Sequence, residues 1–220
     1  MDTKQHEVHE RLEFGLALAA TAGGLDAYTF LTHGEVFAGL QTGNFILLGI
    51  HLGQGNWNVL INYIIPIIAF FSGALIARYL QNKITNNQQL TFLLIETVLL
   101  LFVGLFSPFF PDLLSNALLS IAAAMQLQAF TKLKGKPFTS LMMTGNLRNL
   151  STHFFEGYID HDPVKKVAFK DTLFILGSFG FGALVNGFFI SHFGQRTILF
   201  SLIFLGITLF LLIKDKKAFL

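Results

Sequence analysis

The stretch Gln41-Thr-Gly-Asn-Phe-Ile-Leu-Leu-Gly-Ile-His-Leu-Gly-Gln-Gly55 decides how the chain is read. It lies in a run from Val36 to Ala77 that holds no Asp, Glu, Lys or Arg. Such a run suits lipid, yet this part of it opens on polar and glycine residues that an uninterrupted membrane helix avoids. A second copy stands downstream, Met143-Thr-Gly-Asn-Leu-Arg-Asn-Leu-Ser-Thr-His-Phe-Phe-Glu-Gly157.

A shared tripeptide proves little, so the test is to hold the offset at 102 residues and look outward. Between Leu16 and Gly55, thirteen of forty positions are identical to their partners without a gap. Average residue usage gives about 4 by chance in so apolar a chain. Shared Leu and Ala explain part of the surplus, but not Asn44/Asn146 or His51/His153. The following span aligns after a slip of seven, with Phe70-Phe-Ser-Gly-Ala-Leu75 beside Phe179-Gly-Phe-Gly-Ala-Leu184. The longer linker Tyr158–Lys170 accounts for the slip.

Composition agrees with lipid. Apolar residues make up 53% of the chain and charged residues 13%, with 26 Phe, where an average soluble domain carries roughly 25% charge. A net charge of +2 is too small to imply nucleic acid. Without cysteine there is no disulfide and no thiolate metal site. Met1–Arg11 lacks the pattern of a cleaved leader, so the first apolar run reads as a permanent span.

A crossing helix needs about 20 mostly apolar residues. Six segments qualify: Leu12–Thr32, Trp57–Ala77, Leu90–Phe110, Leu113–Thr131, Thr172–Ser191 and Thr197–Ile213. The two Thr-Gly-Asn segments either cross as well or dip in and return, and the basic residues arbitrate because they concentrate in cytoplasmic loops. With six spans, thirteen Lys and Arg fall on one face and Arg196 alone on the other, Arg148 being set apart. With eight spans the split is eight to six. The expectation is an all-α membrane protein, a single domain over 1–220. It has six transmembrane helices and two re-entrant half-helices, with both termini cytoplasmic. Residues 12–110 and 113–213 form the two repeats. Three crossings per half is an odd number, so the halves are inverted, a plan common among secondary transporters. Irregular backbone at membrane depth must be covered, so both half-helices are expected to be enclosed by the six spans.

The candidate site follows from that arrangement. Thr42 and Thr144 read as N-caps, with Gly43-Asn44 and Gly145-Asn146 opening each half-helix. Two helix N-termini near the midplane direct positive dipole ends and N–H groups at a polar solute. His51 and His153 lie two turns after the Asn residues, on the same face. Asp26, within Gly23-Gly-Leu-Asp-Ala27, is an intramembrane carboxylate of the kind that pairs, binds a cation or carries a proton. Its repeat partner is Gln128, beside Gln126. Arg148 opposes the dipole of its own half-helix, which makes Asp26 its expected partner, and Gln41 completes the polar set. The bland reading is that Thr-Gly-Asn only caps and packs, and that the histidines sit at headgroup depth. Glu96 is expected to snorkel to water. Gly23-Gly24, Gly73-Ala74 and Gly182-Ala183 read as close helix packing, and Pro66 as a kink. No nucleophile–base set, phosphate loop or metal quartet is visible, so neither an enzyme nor a cofactor is expected.

Gly24-Leu-Asp-Ala-Tyr28, Val36-Phe37, Gln41-Thr-Gly-Asn44 and Met143-Thr-Gly-Asn-Leu147 resemble the YoaK-like family of bacterial multi-spanning membrane proteins of unknown function. The resemblance runs from about Phe14 to Ile213. It implies a bacterial plasma-membrane protein and transfers no substrate and no site residue. The expected function is a transporter or channel for a small polar or anionic solute, bound between the two half-helices. The alternative is a non-transporting scaffold or assembly protein. The expected partners are the lipid bilayer and that solute, not nucleic acid, and the plan is compatible with a homo-oligomer.

Overall fold

The structure is a computed structural model that describes residues 6–84 and 86–217. Eight α-helices carry the chain: α1 Leu12–Thr32, α2 Gln41–Gly53, α3 Leu60–Lys83, α4 Gln88–Phe106, α5 Asp112–Ala129, α6 Met143–Phe154, α7 Pro163–Phe193 and α8 Ser201–Lys217. A two-residue hairpin, β1 Lys132–Leu133 with β2 Lys136–Pro137, separates α5 from α6. It turns through Lys134 and Gly135, both at positive φ, as a tight two-residue connection requires. Four helical stretches are long and apolar enough to cross a membrane: Leu12–Thr32, Trp57–Lys83, Gln88–Phe109 and Pro163–Asp215, the last containing both α7 and α8. Helix α5 falls short because Ser115, Asn116, Ser120 and Gln126 interrupt it, and all four are buried. It faces protein rather than lipid.

The helices pack in a pattern that exchanges the two halves. Helix α1 lies against α7 and α8, while α5 lies against α3 and α4. Helix α2 lies along α3, and α6 lies along α7. Replacing each helix of the first half by its counterpart four places on converts one set of pairs into the other.

Glycine sets the two closest crossings. A methyl group on Gly182 of α7 would come within 1.8 Å of the Ala20 carbonyl oxygen of α1, and one on Gly23 within 1.9 Å of the Phe179 carbonyl oxygen. On the other side, a methyl on Gly73 of α3 would meet the Ile121 Cα of α5 at 2.8 Å. Gly73 and Gly182 are repeat equivalents, and both work as the small-residue packing read from the sequence. The aliphatic core lies where α1, α4, α5 and α8 meet, around Leu18, Leu93, Leu100, Leu119 and Leu205. Outward positions such as Phe71, Leu75, Val98, Phe181, Leu184, Phe188 and Phe210 are exposed, an apolar perimeter far larger than a water-facing surface carries.

Several expectations are corrected. Helix α7 starts nine residues earlier than Thr172, because Asp162 caps it by accepting the N–H groups of Val164 (2.7 Å) and Lys165 (3.4 Å), with Pro163 in the first turn. Helix α3 extends six residues past the expected end at Ala77, to Lys83. Glu96 does not snorkel: it is buried, and neither carboxylate oxygen has a hydrogen-bond partner among the described residues.

Candidate functional site

Each half-helix is preceded by an irregular lead-in loop, residues 33–40 for α2 and 138–142 for α6. Val36, Ala38, Ser140 and Leu141 are buried, so the irregular backbone is covered as lipid would demand. The half-helices are not enclosed. Helix α2 packs on α3 and α6 on α7, while Phe45, Ile46 and Ile50 on α2, and Leu147 and Arg148 on α6, stand exposed. The two loops touch at equivalent positions: a methyl on Gly39 would come within 2.6 Å of Leu141 Cδ2 and 3.4 Å of Asp26 Oδ1. The N-termini of α2 and α6 therefore converge.

Capping does not come from the threonines. The helices begin at Gln41 and Met143, their N-caps are Leu40 and Met142, and neither makes a side-chain cap bond. Thr42 and Thr144 are exposed one position inside. The N-terminus of α2 is served by Asp26, whose Oδ1 accepts the N–H groups of Gly39 (2.6 Å) and Leu40 (3.2 Å). In the second half, the Thr139 hydroxyl accepts the N–H groups of Leu141 (3.4 Å) and Met142 (3.1 Å). An anion fits the first position because two free N–H groups and the helix dipole meet there.

The paired asparagines act first on their own loops. Asn44 is buried; its Oδ1 accepts the Phe37 N–H (2.9 Å) and its Nδ2 donates to the Phe37 carbonyl (2.7 Å) and to Gln41 Oε1 (2.9 Å). Gln41 in turn donates to the Ala38 carbonyl at 2.7 Å. Asn146 donates to the carbonyl of Thr139 (3.0 Å), the repeat equivalent of Phe37. Its Oδ1 receives no hydrogen bond from the described residues.

The histidines also keep the repeat relation. His51 stacks on Tyr63 with ring centroids 5.3 Å apart and an interplanar angle of 12°. His153 Nδ1 lies 3.3 Å from Thr172 Oγ1, and Thr172 is the equivalent of Tyr63 after the slip of seven. Beside His51 lies a space of about 330 Å³ against Trp57 and Asn58; the place beside His153, with threonine for tyrosine, is larger. A cavity of about 500 Å³ opens there, between the hairpin, α6 and α7, and Asn146, Asn149, His153, Lys136, Asp171 and Thr172 contribute to its wall. Lys134 Nζ and Asp171 Oδ2, 2.6 Å apart, tie the hairpin to α7. Asn44 and His51 do not line this cavity. Asp26 lines a smaller space of about 320 Å³ with Phe30, Phe37 and Phe179.

The remaining positions are dispersed. Arg148 does not pair with Asp26: the carboxylate is taken by backbone N–H groups, and Arg148 lies on the exposed side of α6 in a shallow depression with Thr144, Ser151 and Phe169. Gln126 donates to the Leu18 carbonyl (3.1 Å) and to Ser140 Oγ (2.5 Å), fastening the second loop to α1 and α5. Gln128 is half-buried, and its carbonyl accepts from Gln81 Nε2 at 2.9 Å. A methyl on Gly43 would meet the Phe37 ring at 2.8 Å, whereas Gly145 faces open space.

Sequence reading missed a polar cluster at the opposite end of α1, in which Tyr28 and His33 are buried and Asp112 is exposed. Asp112 Oδ1 lies 2.7 Å from His33 Nδ1, and His33 Nε2 lies 3.1 Å from Tyr28 Oη. That hydroxyl is 2.7 Å from the Gln195 carbonyl. Burial holds the His33 pKa below the usual histidine value, with Asp112 opposing the shift.

A family model described as "Protein of unknown function (DUF1275)" matches residues 14–211, nearly the whole bundle. The chain belongs to this family. It is also similar to the "UPF0700 transmembrane protein YoaK" of Bacillus subtilis (strain 168), 29% identical over 163 residues that cover 71% of this chain and 72% of that protein. No solved structure gives a significant match. A family whose described relative is transmembrane, together with the apolar helices, makes this a multi-pass membrane protein.

Proposed function

We propose that the protein is a membrane transporter or channel for a small polar or anionic solute. Six helices cross, α2 and α6 re-enter from opposite faces, and the halves form an inverted repeat with both termini cytoplasmic. One observation carries this reading. Equivalent places in the two halves differ in size: Tyr63 stacks on His51 beside a space of about 330 Å³ in the first, whereas Thr172 borders a cavity of about 500 Å³ in the second. An inverted repeat whose halves open to different extents is what alternating access requires. The basic residues Lys134 and Lys136 put the wider half on the cytoplasmic side by the positive-inside rule. The exchanged packing pairs and the touching lead-in loops at Gly39 and Leu141 support the same arrangement.

The test is flux into proteoliposomes across labelled sugars, amino acids, carboxylates and inorganic anions. Uptake above that of protein-free liposomes, blocked by a thiol reagent on Asn149→Cys added from the cytoplasmic side, is the expected result. Absence of flux throughout the panel favours a scaffold, for which the uncovered faces of α2 and α6, with Phe45, Ile46 and Arg148, offer a docking surface.

A further inference from the structure

The cavity between the hairpin, α6 and α7 is built for more than an inorganic ion. Much of its wall is apolar, from Phe138, Val164, Val167 and Ile175. A hydrated ion gains nothing from such a wall, whereas a ligand with an apolar body does. The charge on the wall is also specific. Lys134 is consumed by Asp171 at 2.6 Å, while Lys136, two residues on at the mouth, makes no ion pair among the described residues. One uncompensated positive charge remains.

Two neutral groups are likewise unspent. Asn146 is 7% exposed, and its amide is oriented by the bond from Nδ2 to the Thr139 carbonyl, so the bare atom on the other side is an acceptor. Its equivalent Asn44 has that oxygen occupied by the Phe37 N–H. Asn149 makes no hydrogen bond to the described residues, and its equivalent is the apolar Leu47. The Asn146 oxygen keeps access to the cavity and is free to accept a hydrogen bond there. The second half thus holds free a cation, an amide and an accessible acceptor, and the first half has none of these at the equivalent positions.

We propose that this cavity binds an organic monoanion with a compact apolar body and an adjacent hydroxyl group. The carboxylate lies at Lys136 and the Asn149 amide, the hydroxyl donates to Asn146 Oδ1, and the apolar body rests among Phe138, Val164 and Val167. This names the solute class for the transport reading and rests on that reading only for the passage of the bound anion across the membrane.

The experiment is equilibrium dialysis of the full-length protein in nanodiscs, with empty nanodiscs as the blank. Mandelate is the probe. 1-Phenyl-1,2-ethanediol lacks its charge, phenylacetate its hydroxyl and lactate its ring. Mandelate is expected to bind about 10-fold or more tightly than each of the three, the scale of one charge-assisted hydrogen bond or one buried ring. Lys136→Gln, at an exposed position, erases the preference over the diol, and Asn146→Ala erases the preference over phenylacetate. Thr172→Tyr, which installs the bulkier residue of the first half, abolishes binding of all four. No mandelate binding, equal binding of mandelate and the diol, or binding that survives Thr172→Tyr overturns the proposal. Mandelate binding without flux defeats transport and leaves the cavity assignment standing. Flux of another solute without mandelate binding does the reverse.

Discussion

The Asp26 carboxylate accepts the Gly39 N–H at 2.6 Å, a bond that joins the middle of α1 to the start of a half-helix thirteen residues later. With the Leu40 N–H on the same oxygen, an intramembrane acid becomes the cap of α2. Asp26→Ala leaves two N–H groups without an acceptor and is expected to cost about 3 kcal/mol. Asp26→Asn keeps an acceptor oxygen and loses only the charge, costing about 1 kcal/mol. Thermal unfolding in detergent checks the order. Equal stability of both variants and the parent would mean that the carboxylate is not the cap.

The two asparagines, identical in sequence context, are expected to respond differently. Asn44→Ala strips both the donor and the acceptor from Phe37 in a buried loop, at about 2–3 kcal/mol. Asn146→Ala removes a single bond to the Thr139 carbonyl and costs about 1 kcal/mol. Flux follows the opposite order per unit of folded protein, because only Asn146 faces the open cavity. Unfolding midpoints and uptake measured on the same preparations separate the two effects.

His33 makes acid a destabiliser. Burial lowers its folded pKa below the unfolded value of about 6.5. As the pH falls below about 6.5 the unfolded chain binds a proton first, so stability drops until the folded pKa is passed. Asp112→Asn removes the group that opposes the shift, which widens the window of loss toward lower pH. His33→Gln flattens this part of the profile. Unfolding midpoints between pH 7.5 and 5 give the slopes, and a slope unchanged by His33→Gln would exclude this residue as its source.

Helix crossing has a sharper test. Gly182→Ala puts a methyl where the Ala20 carbonyl oxygen sits, 1.8 Å away, whereas Gly180→Ala two positions earlier meets open space. The first is expected to cost more than about 3 kcal/mol, because backbone must move, and the second close to nothing. Yields of monodisperse protein after solubilisation provide the comparison.

What was legible in the sequence was whatever leaves a pattern along it. The bounds of α1, the close-packing glycines Gly73 and Gly182, and the offset of 102 followed by 109 all reappear as contacts: Asn44 on Phe37 with Asn146 on Thr139, His51 on Tyr63 with His153 on Thr172. Partnerships with backbone left no such trace. Asp26 was matched with Arg148 because both carry charge, but the N–H groups of Gly39 and Leu40 have no letter of their own. The caps at Thr42 and Thr144 missed by two residues, since a repeated tripeptide marks a motif without fixing where its first turn begins. Asp162-Pro163 did carry a signal, an N-cap before proline, and it would have placed the start of α7. The cavity was hidden because it depends on Thr172 being small beside a histidine nineteen positions earlier.

Sidedness is the last prediction, and the absence of cysteine gives it a clean background. The far ends of the half-helices are the informative places. Gly157 is unsuitable for a reporter because a side chain there meets the Lys166 backbone N at 2.8 Å, and Gly55 is held at φ +73°. Asn56 and Asp160 are exposed beside them. Asn56→Cys is expected to react with a membrane-impermeant maleimide in intact cells. Asp160→Cys reacts only after the membrane is opened, together with a cysteine at Glu7 near the N-terminus. Labelling of Asn56→Cys and Asp160→Cys from one side would defeat the inverted arrangement, since half-helices that enter from opposite faces must return their far ends to opposite faces.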